Sequence, residues 1–512
     1  MYNPCNIYKN MLKFTYIYEG EKMETTNYYY NLTEYTLDRE LTFIIKEYLL
    51  SLLGIVWIKD SFEEYFVSDN EKILSNIFVK GNAIVFLSSK KAKKGFKIDL
   101  SSEFKDNYLK RIRPVYDEIL KITYNNFENP NEQINKYNSF SEILKKYEYA
   151  VEKGISNWLA DQNSEYLMHL LVCLDKWSSK TYEGKKVPFA FIIDFKSNKG
   201  DFNYIDFLDE EFSATFSDGI TSVIELDQNL KFINYHSITR DNVFKTINLS
   251  TSPYRFSQVI MSFTKGKIGV FLLSSGDVVI VKDKKIELIK RDGKWINFNK
   301  DIFVSVVMAV NTVDNTLVNS ELLNAIFYTS LDVSFSHCGG LIAVVSDKNM
   351  LTNQDEYYAA INNDSFEKQN NNRENDIIKY TDDLQFKLMS YSQLCKINNN
   401  VFDNHNTKKV FNKRNAILSL LKDYISDDGK ISFLKIDRKL RSELVSMDGA
   451  TILDKNGNVI SFGAIIKNNS GSSGGGRGAA AKKLSEYGMA IKISTDGYIE
   501  VYIKNELKYK MK

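Results

Sequence analysis

Two short stretches near the C-terminus carry residue types that can do chemistry. Met447-Asp448-Gly449-Ala450 sets a carboxylate beside a glycine, just ahead of the strand-like run Ala450–Asp454. Gly471–Gly476 is a Gly/Ser run followed at once by Arg477-Gly478 and the helix-forming run Ala479–Tyr487. A carboxylate at a strand start can hold a divalent cation or orient a hydroxyl. Glycines entering a helix let backbone N–H groups approach an anion without Cβ clashes, and the helix start adds unpaired donors and partial positive charge. Arg477 would add a two-pronged grip on phosphate oxygens. Each feature also has an ordinary reading, Asp448 as a turn aspartate and Gly471–Gly476 as a slack linker. As a pair separated by one strand hairpin, they suit a nucleoside triphosphate with Mg²⁺ or Mn²⁺.

The surrounding pattern must bring that pair together. Ala450–Asp454, the turn KNGN and Val459–Lys467 read as a hairpin. After the glycine loop and helix, with Gly488 as a left-handed C′ residue, come Met489–Ser494, the turn TDG and Tyr498–Lys504. Upstream, apolar residues recur at helical spacing over Asn315–Ser330, Asn415–Ile425 and Asp437–Ser446, and His337–Asp347 is a strand entered through a Gly pair. Polar, Asn-rich intervals at Ile361–Asn375 and Lys396–Asn415 read as surface insertions. The middle of the chain predicts a helix over Asn163–Lys180, a buried strand at Pro188–Phe195, a hairpin from Ile220 to His236 and a strand set over Lys267–Lys290. The first 150 residues predict helices at Asp38–Leu53, Tyr108–Asn125 and Phe140–Ala160, a strand at Asn82–Ser89 and a linker at Asn125–Asn138. The expected fold class is mixed α/β: a C-terminal mixed sheet flanked by helices, preceded by one or two α+β domains. The regions are 1–150, of no assigned role, a strand-rich regulatory region 151–300, and 301–512, which carries the chemistry.

Composition narrows the class. The 512 residues carry 67 Lys+Arg against 65 Asp+Glu, a net charge of +2, so no global field favours nucleic acid or an anionic membrane. Lys- and Asn-rich runs read as solvated surface. Cys5, Cys173, Cys338 and Cys395 form no CxxC pair, and His169, His236, His337 and His405 show no metal-ligand spacing. Tyr48–Ile58 is about half a bilayer span, and the N-terminus lacks a signal-peptide core, so the expectation is a soluble, cytoplasmic protein. SDGITSVIEL (Ser217–Leu226) echoes MDGATIL (Met447–Leu453). Asp-Gly before a strand is common turn chemistry, so the echo alone is slight support for an internal duplication.

Asp448-Gly449-Ala450 and Gly475-Gly476-Arg477-Gly478-Ala479-Ala480-Ala481, continuing into Leu484-Ser485-Glu486, resemble the diadenylate cyclase domain family. That family carries a DGA motif and a Gly-Thr-Arg-His-Arg-Ala-Ala loop leading into a helix with Ser-Glu. Gly339–Val345 is similar to the first strand of that domain and Leu440–Ala450 to the helix that delivers DGA. Lys176–Asp194 is similar to sensor-like modules found ahead of divergent members. The resemblance covers about 301–501. It implies a mixed α/β fold, ATP as substrate, two domains face to face in a homodimer or higher homo-oligomer, and cyclic di-AMP with pyrophosphate as products. It also implies roles. Asp448 would bind metal and help activate a ribose hydroxyl, with Asp496 as a second metal ligand. Gly449 and Ala450 would line the nucleotide site, and Arg477 with the backbone of Gly475, Gly476 and Gly478 would hold the triphosphate. Three departures stand out: Gly478 and Ala479 replace the His and second Arg, Gly476 replaces Thr, and Ser494-Thr495-Asp496 replaces Ser-Glu-Glu. A degenerate nucleotide-binding regulator on the same scaffold is the second expectation. A scaffold whose glycine run is only a loop is the third.

Overall fold

Short runs of apolar, β-branched residues bounded by Asp, Asn and Gly build the buried strands of this molecule. The computed structural model describes residues 44–53, most of 62–99, 106–128, 140–210, 217–238, 252–297, 319–345, 378–380, 420–426, 430–466 and 475–511, with isolated positions between them. Contacts divide the chain into two units, residues 1–53 with 57–175, and 54–56 with 176–512. The first holds an antiparallel sheet in the spatial order Phe62–Phe66, Lys94–Asp99, Ala83–Leu87, Ile77–Lys80, and the paired helices Asp106–Glu128 and Phe140–Ala160. The expected linker at 125–138 therefore starts inside a helix; its remainder, and the two Asn-rich insertions, lie outside the described residues. No described helix is long and apolar enough to cross a membrane.

The second unit contains two seven-stranded mixed sheets. A helix α1 (Ser164–Ser178), most of it in the first unit, leads into β1 (Phe189–Asp194), α2 (Tyr204–Glu210), β2 (Ser222–Asp227), β3 (Phe232–Ser237), α3 (Ser257–Phe263), β4 (Ile268–Leu272), β5 (Val278–Lys282), β6 (Lys285–Arg291) and β7 (Lys294–Ile296). Then α4 (Ser320–Ser336) leads into β8 (Gly340–Val345), β9 (Ile378–Tyr380), α5 (Arg438–Val445), β10 (Ala450–Asp454), β11 (Val459–Ile466), α6 (Gly475–Leu484), β12 (Gly488–Ile493), β13 (Ile499–Ile503) and β14 (Glu506–Met511). The mixed α/β class is as expected. Of the predicted helix over 415–425, residues 415–419 lie outside the described residues; Leu420 and Leu421 are helical and run into a 3₁₀ turn, Lys422–Tyr424.

The two sheets are copies of one another. Their spatial orders are β3-β2-β1-β4-β5-β6 with β7 at the end, and β11-β10-β8-β12-β13-β14 with β9 beside β11. In each, the first strand pairs in parallel with the second and antiparallel with the fourth: Phe191 with Ile224 and Leu272 with Phe189 match Ile342 with Thr451 and Ile493 with Gly340. Irregular steps recur too, between Ile280 and Val281 and between Val501 and Tyr502, and between Glu225 and Leu226 and between Ile452 and Leu453. The turns agree as well. Asp227 Oδ1 accepts from Asn229 N and Lys231 N, as Asp454 Oδ1 does from Asn456 N and Asn458 N. The bonds Leu273 N to Asp277 O and Gly276 N to Leu273 O match Ser494 N to Tyr498 O and Gly497 N to Ser494 O. Independent strand pairing has no reason to reproduce register, bulges and turns together.

That duplication corrects the sequence expectation, and it also corrects the echo that hinted at it. Pairing sets Ser222, not Gly219, in the place of Gly449. Asp218 lies earlier and closes its own turn, its Oδ1 accepting from Ile220 N, Thr221 N and Ser222 N.

One apolar core runs through both copies, joining Ile192, Ile260 and Phe271 to Ile326, Ile342, Val344 and Ile491. The alternate residues of β8, Leu341, Ala343 and Val345, point to the other face of the second sheet and meet Ala481 and Leu484 of α6. Polar ties reinforce the join. Asp332 on α4 receives Arg438 Nε and Nη2 at 2.7 and 2.8 Å and Tyr254 N at 2.8 Å, while Arg438 Nη2 also reaches Ser252 O at 2.8 Å.

Candidate functional site

Three adjacent strand ends of the second copy form the site: the start of β10, the start of β8 and the end of β12. The pairing of Ile342 with Thr451, continued back along both strands, sets Gly340 beside Gly449, so Asp448 comes level with Gly339. Neighbouring strands lie about 4.8 Å apart. Gly340 also pairs with Ile493, which brings the Ser494–Tyr498 turn to the same end.

Asp448 is exposed there, and its Oδ1 accepts only a weak local bond from Gly449 N at 3.1 Å. It follows α5, capped by Asp437, whose carboxylate accepts from Lys439 N and Leu440 N. Gly449 is required: its φ is +98°, and a Cβ would lie 2.3 Å from the Gly463 carbonyl carbon across the irregular β10–β11 pairing. Ala450 is fully buried and packs into the core under α6, so it supports this corner from behind.

Arg477 reaches the same corner from the first turn of α6. Its Nη1 lies 2.6 Å from the point where Gly339, at φ +69°, would carry a Cβ. Its buried Nε has no hydrogen-bond partner among the described residues. A buried guanidinium nitrogen without an acceptor is costly, and an anionic oxygen is what would satisfy it. The helix itself corrects the expected boundary. It begins at Gly475, not at Ala479, so Gly475 and Gly476 lie exposed in its first turn and Gly478 is buried within it. Of the run before Gly475, 471–474 lies outside the described residues. Gly488 is likewise not a left-handed helix cap. It opens β12, where a Cβ would lie 2.1 Å from Val344 O, so close backbone approach explains the glycine.

Asp496 is exposed on the Ser494–Tyr498 turn and faces a cleft shared with the first copy. Among the described residues no group of three or more His, Cys, Asp or Glu is disposed to hold a metal ion unaided. Mg²⁺ is ordinarily held by one or two carboxylates together with substrate phosphates and water, and Asp448 fits that smaller demand.

Sequence reasoning passed over Lys492. Its Nζ lies 3.9 Å from the Cβ position of Gly478 and pairs with Glu500 at 3.1 Å. Lys482 is exposed on the last turn of α6, and Lys483 there pairs with Glu486 at 2.7 Å. Arg291 was also missed. It is 2% exposed, donates from Nε to Asp277 Oδ2 at 2.9 Å and from Nη1 to Gly497 O at 2.6 Å, and thereby ties the first copy to the Ser494–Tyr498 turn. Only the match of the turns Ser274-Ser275-Gly276 and Thr495-Asp496-Gly497 could have pointed to it. No protein-family model, no curated protein and no solved structure matches the chain.

Proposed function

We propose that the chain is a divergent, metal-dependent diadenylate cyclase that joins two ATP into cyclic di-AMP with release of pyrophosphate. The observation that carries this reading is that Arg477 packs against Gly339, the residue level with Asp448 on the neighbouring strand, and that Arg477 Nε has no acceptor among the described residues. In this reading Arg477 and the backbone at the start of α6 hold the triphosphate, and Lys492 lies nearby. Asp448 would hold a divalent cation, which when bound would neutralise phosphate charge, and Asp448 receives the proton of the attacking 3′-hydroxyl. That oxygen bonds to the α-phosphorus of the second ATP, the bond to the β-phosphate breaks, and pyrophosphate leaves; the step repeated closes the ring. Regulation would come from the residues ahead of 301.

Gly478 and Ala479 favour a second reading, a nucleotide-binding regulator without turnover. Both are buried where the resemblance expects cationic side chains. Incubation of the full chain with ATP and Mn²⁺, followed by mass spectrometry, separates the two. Cyclic di-AMP that disappears in Asp448→Asn supports the cyclase. Tight ATP binding with no cyclic product supports the regulator.

A further inference from the structure

The first copy has its own version of this corner. Pro188 stands ahead of β1 as Gly339 does ahead of β8, Asp218–Ile220 lead into β2, and the Leu273–Asp277 turn follows β4 as Ser494–Tyr498 follows β12. All of them line a cleft of about 690 Å³, closed from the other side by His337, Thr495 and Asp496 of the second copy. Cavities of about 300–1,000 Å³ accommodate small organic ligands.

Most of the charge in the cleft is already committed. Asp218 is taken up by its turn, Asp277 by Arg291 and His337, and Asp292 Oδ2 by Tyr498 Oη at 2.5 Å. The side chains of Arg255, Ser274 and Asp496 make no hydrogen bond to other described residues, and Arg255 lies only over the Phe256 ring, 5.8 Å from its centroid. Phe256 and Phe335 form an apolar wall, edge to face at 6.1 Å. The free groups thus comprise a cation with a hydroxyl, an aromatic wall and a carboxylate. They complement a phosphate, a planar base and a ribose diol.

We propose that this inter-copy cleft binds a mononucleotide, and that its occupation is passed to the C-terminal site through Arg291. The choice of nucleotide rests on the reading of Asp448 and Arg477 above, since the two corners are copies. Arg291 lines the cleft and donates to Gly497 O, whose turn carries Asp496, so a ligand there acts on that turn within one residue's reach.

The test is calorimetric titration of the full chain with AMP in an Arg477→Ala background, which removes the C-terminal grip. AMP still binds, and Arg255→Glu or the cleft-filling Ser274→Trp lowers its affinity tenfold or more, while the ligand-free unfolding midpoint stays put because both side chains are exposed. AMP affinity unmoved by both substitutions, or no AMP binding at all, overturns the proposal. ATP affinity in an Arg255→Glu background that ignores Arg477→Ala and Asp448→Asn counts instead against the C-terminal reading, leaving the cleft to stand on its own result.

Discussion

The Arg477 guanidinium occupies the space that a side chain on Gly339 would need, with Nη1 2.6 Å from that Cβ position. A methyl there meets the tip of a flexible side chain as well as an unfavourable φ of +69°. Gly339→Ala should therefore cost roughly 1–2 kcal/mol of stability, mostly from backbone conformation. Its larger effect should be on ligand binding, because Arg477 must swing away. Calorimetry should record ATP affinity falling about tenfold or more, and urea unfolding should record only the modest stability loss.

Gly449→Ala should behave oppositely. Its clash is with backbone, 2.3 Å from Gly463, and neither strand can yield without breaking the β10–β11 pairing. A loss of roughly 2–4 kcal/mol is expected, read as a lower urea midpoint at unchanged slope.

Arg291 links the two copies from a buried position, so Arg291→Met strands Asp277 without its main partner. Breaking one side of a buried pair costs about 3–5 kcal/mol. The double variant with Asp277→Asn should recover part of that loss, and a cycle of the four proteins measures the coupling. Additive single effects would contradict the pairing.

Acid should act through Glu500. Burial works against this carboxylate, but the hydrogen bond and charge of Lys510, with Lys492 and the Tyr502 hydroxyl, hold its pKa down to about 2, below the ordinary 4.5. A depressed folded pKa contributes stability above the unfolded value and loses it as pH falls toward the folded one. Wild type should lose stability between about pH 4.5 and 2 more steeply than Glu500→Gln.

His337 predicts the reverse sense. The Asp277 carboxylate, 3.3 Å from its Nε2, raises it above 6.5 despite burial and Arg291. That stabilisation is complete below 6.5 and fades as pH rises through the higher folded value. His337→Gln should flatten the decline on the alkaline side, measured by urea midpoints across pH.

Strands and hairpins of the second unit were legible because apolar runs and Asp-Asn-Gly turns write them locally. Asp448 and Arg477 stood out because a carboxylate beside Gly at a strand start and a lone guanidinium after a glycine run are unusual in their settings. What escaped were features that depend on partners distant in the chain. Gly475 and Gly476 look like loop residues by propensity, yet packing of Ala481 and Leu484 on the sheet extends α6 over them. Gly488 looks like a cap until the nearness of Val344 O is known. The duplication stayed hidden because the copies share pairing geometry while differing in side chains, and the one verbal echo, Asp-Gly, falls out of register.

Carrying both copies on one backbone fixes their stoichiometry at one to one, whatever the dilution. In an assembly of identical chains any substitution strikes every corner at once. Here a change at Arg255 leaves Arg477 untouched, so one twin can specialise while the other keeps its chemistry.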